Sequence, residues 1–458
     1  MPFVQRLITD EGYRALPYGC GLPSTTPFAQ AGILYGDNAE IPSYRWWDKQ
    51  AGLLVGFGSG SSFARIADRY FVGREPLTRD GVCIAALYRT GSKDRFGPAS
   101  PQGTRHDEPD TSKKAIVAFL VNPVTLYFWL RHGGASLFRI GSRYVRARAR
   151  HQPTAEAYVL AHVYHEVLVH HLTRFALRQA MDEGLRTIYA CFYTYDETAH
   201  AFGPDDPGSL RILRHVDHSI RFAAEKRRAN QAGIEYELVI LSDHGQVSTR
   251  PFADKQGRRL GQFLAEWLPG VRVVEHRGST FGPPSDRAAG NVAVTYSGGL
   301  AHVYFTDIRR RLDRRELDAR FPGLIDKVAN IGGVGLVMVR DGEGSIIVTA
   351  AGRLGLNLPL SSETRTFLEA YDQPDVLAHQ LRRLNSFERS GDFIVFGDYD
   401  GATQVNFENQ VGGHGSLGGD QLHPFLLVPK RWEVDTSNVR DASELHPLLV
   451  KIRDRAAD

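Results

Sequence analysis

Apolar and polar positions along the chain fall into blocks of different period. Thr187 to Thr194 (TIYACFYT) and Tyr236 to Leu241 (YELVIL) are short, nearly unbroken apolar runs, each followed at once by polar and ionisable residues. Runs of this length and composition predict buried strands. Between them, Ser209 to Ala229 places Leu210, Leu213, Ile220 and Ala223 broadly on one face, which predicts a helix. A further helix is predicted over Thr154 to Glu183. Strand, helix and strand in this order predict a parallel sheet with right-handed crossovers. In such sheets ligands gather beyond the carboxyl ends of the strands. Two polar clusters fall there, Tyr195-Asp196-Glu197-Thr198-Ala199-His200 and Ser242-Asp243-His244-Gly245.

Beyond His244 the pattern changes. Asn291 to Tyr296, Ala301 to Phe305, Gly335 to Val339, Ser345 to Thr349 and Asp392 to Phe396 are short runs divided by glycines and charged turns. They predict a smaller, more antiparallel region folded onto the main sheet. Residues 52–153 are Gly- and Arg-rich and break the α/β rhythm, as an insertion that caps or flanks the site would. Its apolar part, Ala115 to Leu130, carries Asn122 and Pro123 and falls short of the ~20 residues a spanning helix needs. It reads as a buried or interfacial helix. Arg139, Arg143, Arg146, Arg148 and Arg150 follow it and keep peripheral membrane contact through residues 115–150 open. The expected organisation is one domain over residues 1–430, with the insertion at 52–153 and the antiparallel sub-region at 290–400, then a C-terminal tail at 431–458.

Composition narrows the class. With 458 residues, 42% hydrophobic and 23% charged, the chain can bury a sizeable core. A net charge of +3 gives no reason to expect a nucleic-acid duplex as partner. Cys20, Cys83 and Cys191 are too few and scattered for a disulfide framework or a Cys-based zinc site, and they fit a reducing compartment. Met1 to Asp10 lacks the basic start and apolar run of a secretory signal. The expected location is cytoplasmic or peripheral to a membrane.

The candidate chemistry lies in Asp196 and His200, in the adjacent Asp243 and His244, and in His414 within Gly412-Gly413-His414-Gly415. Carboxylates and imidazoles hold zinc or manganese in hydrolytic sites, and glycines let the backbone turn close to an ion. Singly these are weak signals; their order after predicted strands gives them weight. In the stretch Pro23 to Gly36, Thr26 suits a helix N-cap, Pro27 the first helical position and Gly36 the stop. A hydroxyl there faces free N–H groups and the positive end of the helix dipole, which favours an alkoxide and a bound phosphoryl group. The alternative is an ordinary capping threonine. Other signals carry less. His165-Glu166 with His170 departs from the zinc-protease spacing, and Gly56, Gly58 and Gly60 read as a lid loop. His302 reads as a satisfied core histidine and His423 as structural.

Thr26-Pro27 before Gly36, Asp196-x3-His200 before Gly203-Pro204, Ser242-Asp243-His244-Gly245 and His414-Gly415 occur in that order. Over about Met1 to Pro429 this resembles the alkaline phosphatase superfamily, in its type I phosphodiesterase/nucleotide pyrophosphatase branch. The resemblance implies an alkaline-phosphatase-like α/β sandwich with a mostly parallel central sheet flanked by helices. It also implies two divalent metal ions, zinc or manganese. Asp196, His200 and His414 would hold one, and Asp243 and His244 the other beside Thr26. Thr26 would form a covalent phosphothreonine that water then hydrolyses. The expected activity is hydrolysis of a small phosphoester, a phosphodiester by preference. The other readings are phosphoryl or phosphoalcohol transfer to a membrane acceptor, and a relative that binds a phosphorylated ligand without turnover.

Two departures accompany the resemblance. The family uses an aspartate at the end of a first strand, upstream of the helix before the nucleophile. Here Met1 to Leu7 already reads as that helix, so either the start falls at an internal methionine or the second metal site is one carboxylate short. Asp10 is on the wrong side of that helix; Asp37 and Asp48 are the stand-ins. An asparagine that holds the phosphoryl oxygen in related pyrophosphatases is also absent from Ile41 to Asp48. Arg45 is the candidate for that role, with a structural arginine as the alternative.

Overall fold

The computed structural model describes residues 1–56, 66–67, 69–88, 90, 169–276 and 291–455, with isolated positions between 127 and 145. The chain opens with α1 (Pro2–Thr9), which buries Phe3 and Leu7. Its first amides find a partner far along the chain: the N–H groups of Phe3 and Val4 donate to the Asp217 carboxylate at 2.9 and 3.0 Å. After β1 (Tyr13–Pro17) comes α2 (Thr26–Tyr35), buried at every position after Thr26. Its N-cap is Thr25, not Thr26, because the carbonyl of Thr25 accepts the first helical bond, from Ala29 N–H at 2.9 Å. Thr26 is the first helical residue and Pro27 the second, and Gly36 ends the helix in the left-handed region at φ 66°.

β2 (Arg45–Asp48), β3 (Leu53–Gly56) and β4 (Val82–Ile84) follow, then α3 (His170–Asp182), β5 (Ile188–Ala190), α4 (Thr194–Phe202), α5 (Pro207–Lys226), β6 (Ile240–Leu241) and β7 (Val247–Pro251). α5 is capped by Asp206, whose side chain accepts from Gly208 N–H at 2.7 Å. The predicted strand-helix-strand order is present, but β5 and β6 lie in separate ladders. β5 pairs in parallel with β4, whereas β6 pairs antiparallel with the strand Phe425–Pro429. A strand persists only where a neighbour accepts its ladder bonds, so the run from Tyr236 shortens to Ile240 and Leu241, opposite Leu427 and Leu426.

β8 (Val273–His276), β9 (Val292–Ser297), β10 (Leu300–Phe305), β11 (Val334–Asp341), β12 (Gly344–Thr349), β13 (Gly352–Gly355) and β14 (Phe393–Gly397) form a seven-stranded sheet ordered β13-β12-β11-β14-β10-β9-β8. It is antiparallel except for the β8–β9 pair. Among the described residues it is the widest sheet, although the sequence pattern leads one to expect a smaller region. Its strands are apolar on both faces. Leu300, Tyr304, Leu336, Met338, Ile394 and Phe396 enter one core, and their neighbours Ala301, Val303, Val337, Val339, Phe393 and Val395 enter another. The first core is closed by α2 and by the helices Ser362–Glu369 and Pro374–Ser386, and the second by Leu260–Trp267, Arg314–Arg320 and Leu324–Ala329.

β15 (Thr403–Asn406), β16 (Gly412–Gly413) and β17 (Phe425–Pro429) complete the strands, with β7 between β15 and β16, and β17 between β1 and β6. The last helix, Ala442–Arg455, packs along α2. No helix among the described residues is long and apolar enough to cross a membrane. Residues 57–65, most of 115–150 and residues 154–168 lie outside the described residues, and with them the glycine loop, the apolar-basic segment and the first half of the helix predicted before β5.

Candidate active site

Three loop-and-helix segments converge on the N-terminus of α2. α4 begins at Thr194, so Asp196 and His200 lie one helical turn apart on one face. β16 presents His414 immediately after its two glycines. A Cβ on Gly412 would run into the Ala199 carbonyl of α4, so the close approach of these segments requires glycine there. Ser24 stitches this second segment in place: its hydroxyl accepts from Gly415 N–H at 2.9 Å, and its carbonyl accepts from His414 Nδ1 at 2.8 Å; the third is the loop after β6 that carries Asp243 and His244.

All three histidines are held in one tautomer. His200 Nδ1 donates to the Gly412 carbonyl at 2.9 Å, His414 Nδ1 to that of Ser24, and His244 Nδ1 to that of Gly245 at 2.9 Å. Each Nε2 is therefore the ring nitrogen turned inward to the cluster. His200 Nε2 lies 3.2 Å from His414 Nε2, with Asp196 Oδ2 at 3.4 Å from the first and Oδ1 at 3.5 Å from the second. The ring of His244 stacks on that of His414 at 3.8 Å, and its Nε2 lies 3.0 Å from Thr26 Oγ1. Asp243 Oδ2 is 3.8 Å from the same nitrogen.

Electrostatics follow from this crowding. Burial opposes ionisation of Asp196, but His200, His414 and His244 outweigh it and hold the carboxyl well below the usual carboxylate range. Burial would also lower His200, yet Asp196 and Glu197 raise it to about 9. His414 goes the other way, pushed well below the ordinary imidazole value by burial and by His244. Burial and the charge of Asp196 lift Glu197 to about 7.

The donor set fits a divalent cation. Two imidazole Nε2 atoms at 3.2 Å share a proton or a cation between them, and the neighbouring carboxylate favours positive charge there. Asp196, His200 and His414 are, among the described residues, the one group of three His, Cys, Asp or Glu ligand atoms close enough to hold an ion. Asp243 and His244 offer two further ligands beside Thr26.

Other candidates sit elsewhere. Arg45 is buried and committed, its Nη1 donating to Glu408 at 2.9 Å and to the Tyr296 carbonyl at 3.0 Å. That is the geometry of the structural alternative rather than of a free phosphoryl clamp. Asp37 pairs with Arg74, and Asp48 with Arg69 and Arg389, so neither stand-in joins the cluster. His170 is buried, 2.9 Å from the hydroxyl of Ser219. His302 is a bonded core residue, and His423 pairs with Asp372 at 3.0 Å. Ser24 and Gln246, which no spacing in the sequence singles out, contact the cluster directly.

The sequence model of the type I phosphodiesterase / nucleotide pyrophosphatase family matches residues 1–304. The chain is 29% identical over 82 residues to ectonucleotide pyrophosphatase/phosphodiesterase family member 7 of Homo sapiens, which covers 18% of this chain and 17% of that protein. Among solved structures it is similar to a substituted form of alkaline phosphatase PafA, at 13% identity and a TM-score of 0.50, covering 98% of this chain and 93% of that one. It is also similar to phosphonoacetate hydrolase from Sinorhizobium meliloti 1021 in complex with phosphonoformate, at 16% identity and a TM-score of 0.49, covering 99% and 90%. The likeness to PafA shows an alkaline-phosphatase-like α/β fold.

Proposed function

Because the chain belongs to the type I phosphodiesterase/nucleotide pyrophosphatase family, a family of phosphoester hydrolases, we propose that it hydrolyses small phosphodiesters with Thr26 as nucleophile. The observation that carries this reading is Thr26 Oγ1 at the N-terminus of α2, 3.0 Å from the inward-facing Nε2 of His244 and beside the cluster of Asp196, His200 and His414. The 3.0 Å separation places the Thr26 hydroxyl beside the nitrogen with which His244 would hold an ion, where a neighbouring positive charge favours the nucleophilic oxygen. The amides and dipole at the start of α2 favour negative charge on the phosphoryl oxygens. Asp196, His200 and His414 would hold one divalent ion, zinc or manganese, and Asp243 and His244 another. Such ions supply charge neutralisation and a lowered hydroxyl pKa. Attack by Oγ1 releases one ester alcohol, which takes up the hydroxyl proton, and leaves the rest of the substrate on Thr26 as a covalent phosphothreonine ester; water then cleaves the Oγ1–phosphorus bond, restoring the hydroxyl and releasing the phosphomonoester.

The test is hydrolysis of bis-p-nitrophenyl phosphate, p-nitrophenyl phosphate and a sulfate ester by the zinc- and manganese-loaded protein. The diester should be the best of the three. Thr26→Ser should keep measurable turnover and Thr26→Ala should lose about a thousandfold or more, with unchanged thermal stability. Full activity in Thr26→Ala would refute the reading. Transfer to a membrane acceptor is the second reading. It draws on Leu130, Leu137, Phe138 and Val145, all more than half exposed, within the apolar-basic stretch. Co-sedimentation with anionic liposomes tests it.

A further inference from the structure

We propose that Gln246 is a positioning residue: it fixes the carboxylate of Asp196 against the strand pair that presents His414, and thereby sets the affinity of the three-ligand cluster for a divalent ion. The inference rests on the reading of Asp196, His200 and His414 as ligands. The Nε2 of Gln246 donates to both the side-chain Oδ1 and, at 3.1 Å, the main-chain carbonyl of Asp196. Both partners are acceptors only, so the amide can face them only with its nitrogen. This clamp reads the position of the residue and the rotation of its carboxylate together.

What stands behind the clamp matters as much. Gln246 immediately precedes β7, which is held between β15 and β16. In that ladder Val247 lies opposite Gly413, the residue before His414. A single side chain thus ties the first turn of α4 to the strand pair carrying the third ligand, and it holds Oδ1 at 3.5 Å from His414 Nε2 while Oδ2 stays at 3.4 Å from His200 Nε2. Asp196 is about a quarter exposed, and without the clamp its carboxylate would be free to turn toward solvent.

The other end of the amide argues against a role in stability alone. Gln246 Oε1 is buried and has no hydrogen-bond partner among the described residues, an arrangement that costs free energy. An apolar side chain of similar shape would avoid that cost and lose only the two bonds to Asp196. Partners that orient metal-binding side chains typically change affinity by about ten- to a hundredfold.

The experiment uses the full chain, stripped with a chelator and titrated with Zn²⁺ against a chromogenic competitor. Wild type is compared with Gln246→Met, Gln246→Asn and His200→Ala. Gln246→Met keeps the volume without the donor, and Gln246→Asn keeps an amide too short to reach. Both should bind Zn²⁺ about ten- to a hundredfold more weakly, while the melting temperature of metal-free Gln246→Met stays at or above that of wild type. His200→Ala should lose the tighter binding step, that of the three-ligand cluster, outright. Wild-type affinity in either foldable Gln246 variant, alongside loss in His200→Ala, overturns the positioning role and spares the metal reading. Wild-type affinity in His200→Ala overturns the metal reading and the proposal with it.

Discussion

Buried His302 makes the stability of the core depend on pH. It lies on β10, fully buried, with Nε2 donating to the Pro42 carbonyl and Nδ1 accepting from Gly391 N–H, each at 3.0 Å. Burial, opposed by the bond to Pro42 and assisted by Arg311, pushes its pKa from 6.5 down to about 3. The folded state therefore keeps this ring neutral while the unfolded chain protonates it. Its full contribution is present above the unfolded pKa and is lost progressively as the pH falls from 6.5 toward 3. Each pH unit in that window costs about 1.4 kcal/mol, so passing from pH 7 to pH 5 removes about 2 kcal/mol through this one group. His302→Asn cannot titrate. It keeps an acceptor near Gly391 and loses the donor to Pro42, so at pH 7 it should be less stable by about 1–3 kcal/mol. At pH 5 the gap should shrink by about 2 kcal/mol. Urea unfolding of both proteins in chelator, at the two pH values, measures this difference directly. A gap that stays constant or widens on acidification refutes the claim that the fold holds His302 neutral.

Two further predictions concern the scaffold around α2 and the wide sheet. Lys49 and Asp392 form a buried pair at 2.7 Å, and Asp392 also accepts from the N–H groups of Phe305 and Leu312. Lys49→Met leaves that carboxylate uncompensated and should cost about 3–5 kcal/mol in denaturant unfolding. Adding Asp392→Asn, which removes the charge and keeps an acceptor, should recover part of the loss; no recovery would show that the charge is not the cause. In α2, a Cβ on Gly32 would stand 2.6 Å from Ser443 N and 2.7 Å from the carbonyl carbon of Ala442. Gly32→Ala should therefore lower stability by about 1–3 kcal/mol, against the helix preference for alanine, and a raised melting temperature would mean the last helix does not dock there.

The order of motifs in the sequence was enough to name Thr26, Asp196, His200, Asp243, His244 and His414, because each follows a recognisable strand end, helix start or glycine turn. The five runs after His244 were equally legible as strands, since β-branched and aromatic residues between glycine turns have few alternatives. Their sheet was harder to size: a run apolar at every position does not say which core each side chain enters, and here alternate residues divide between two. Thr26 shifted by one place, from N-cap to first helical residue, because a Thr25-Thr26 pair offers the same residue type at both positions and only the main-chain bond from Ala29 N–H to the Thr25 carbonyl decides between them. Arg45 was ambiguous for a similar reason. Its partner Glu408 is 363 residues away, and no local pattern could show whether its guanidinium is spent or free.

The part of the site least visible in the sequence is what makes its geometry specific. The carbonyls that fix the histidine tautomers belong to Gly412, Ser24 and Gly245, and a backbone carbonyl leaves no mark on residue identity. Two of these bonds join residues more than two hundred positions apart, His200 to Gly412 and His414 to Ser24. A ligand set in the right order could be assembled on the same strands with Nδ1 inward, and it would then place the ring carbons where Nε2 now meets Thr26. The fold excludes that outcome by occupying every Nδ1 with a main-chain acceptor. The Nε2 atoms are left facing the cluster, and His200 and His414 meet there at 3.2 Å.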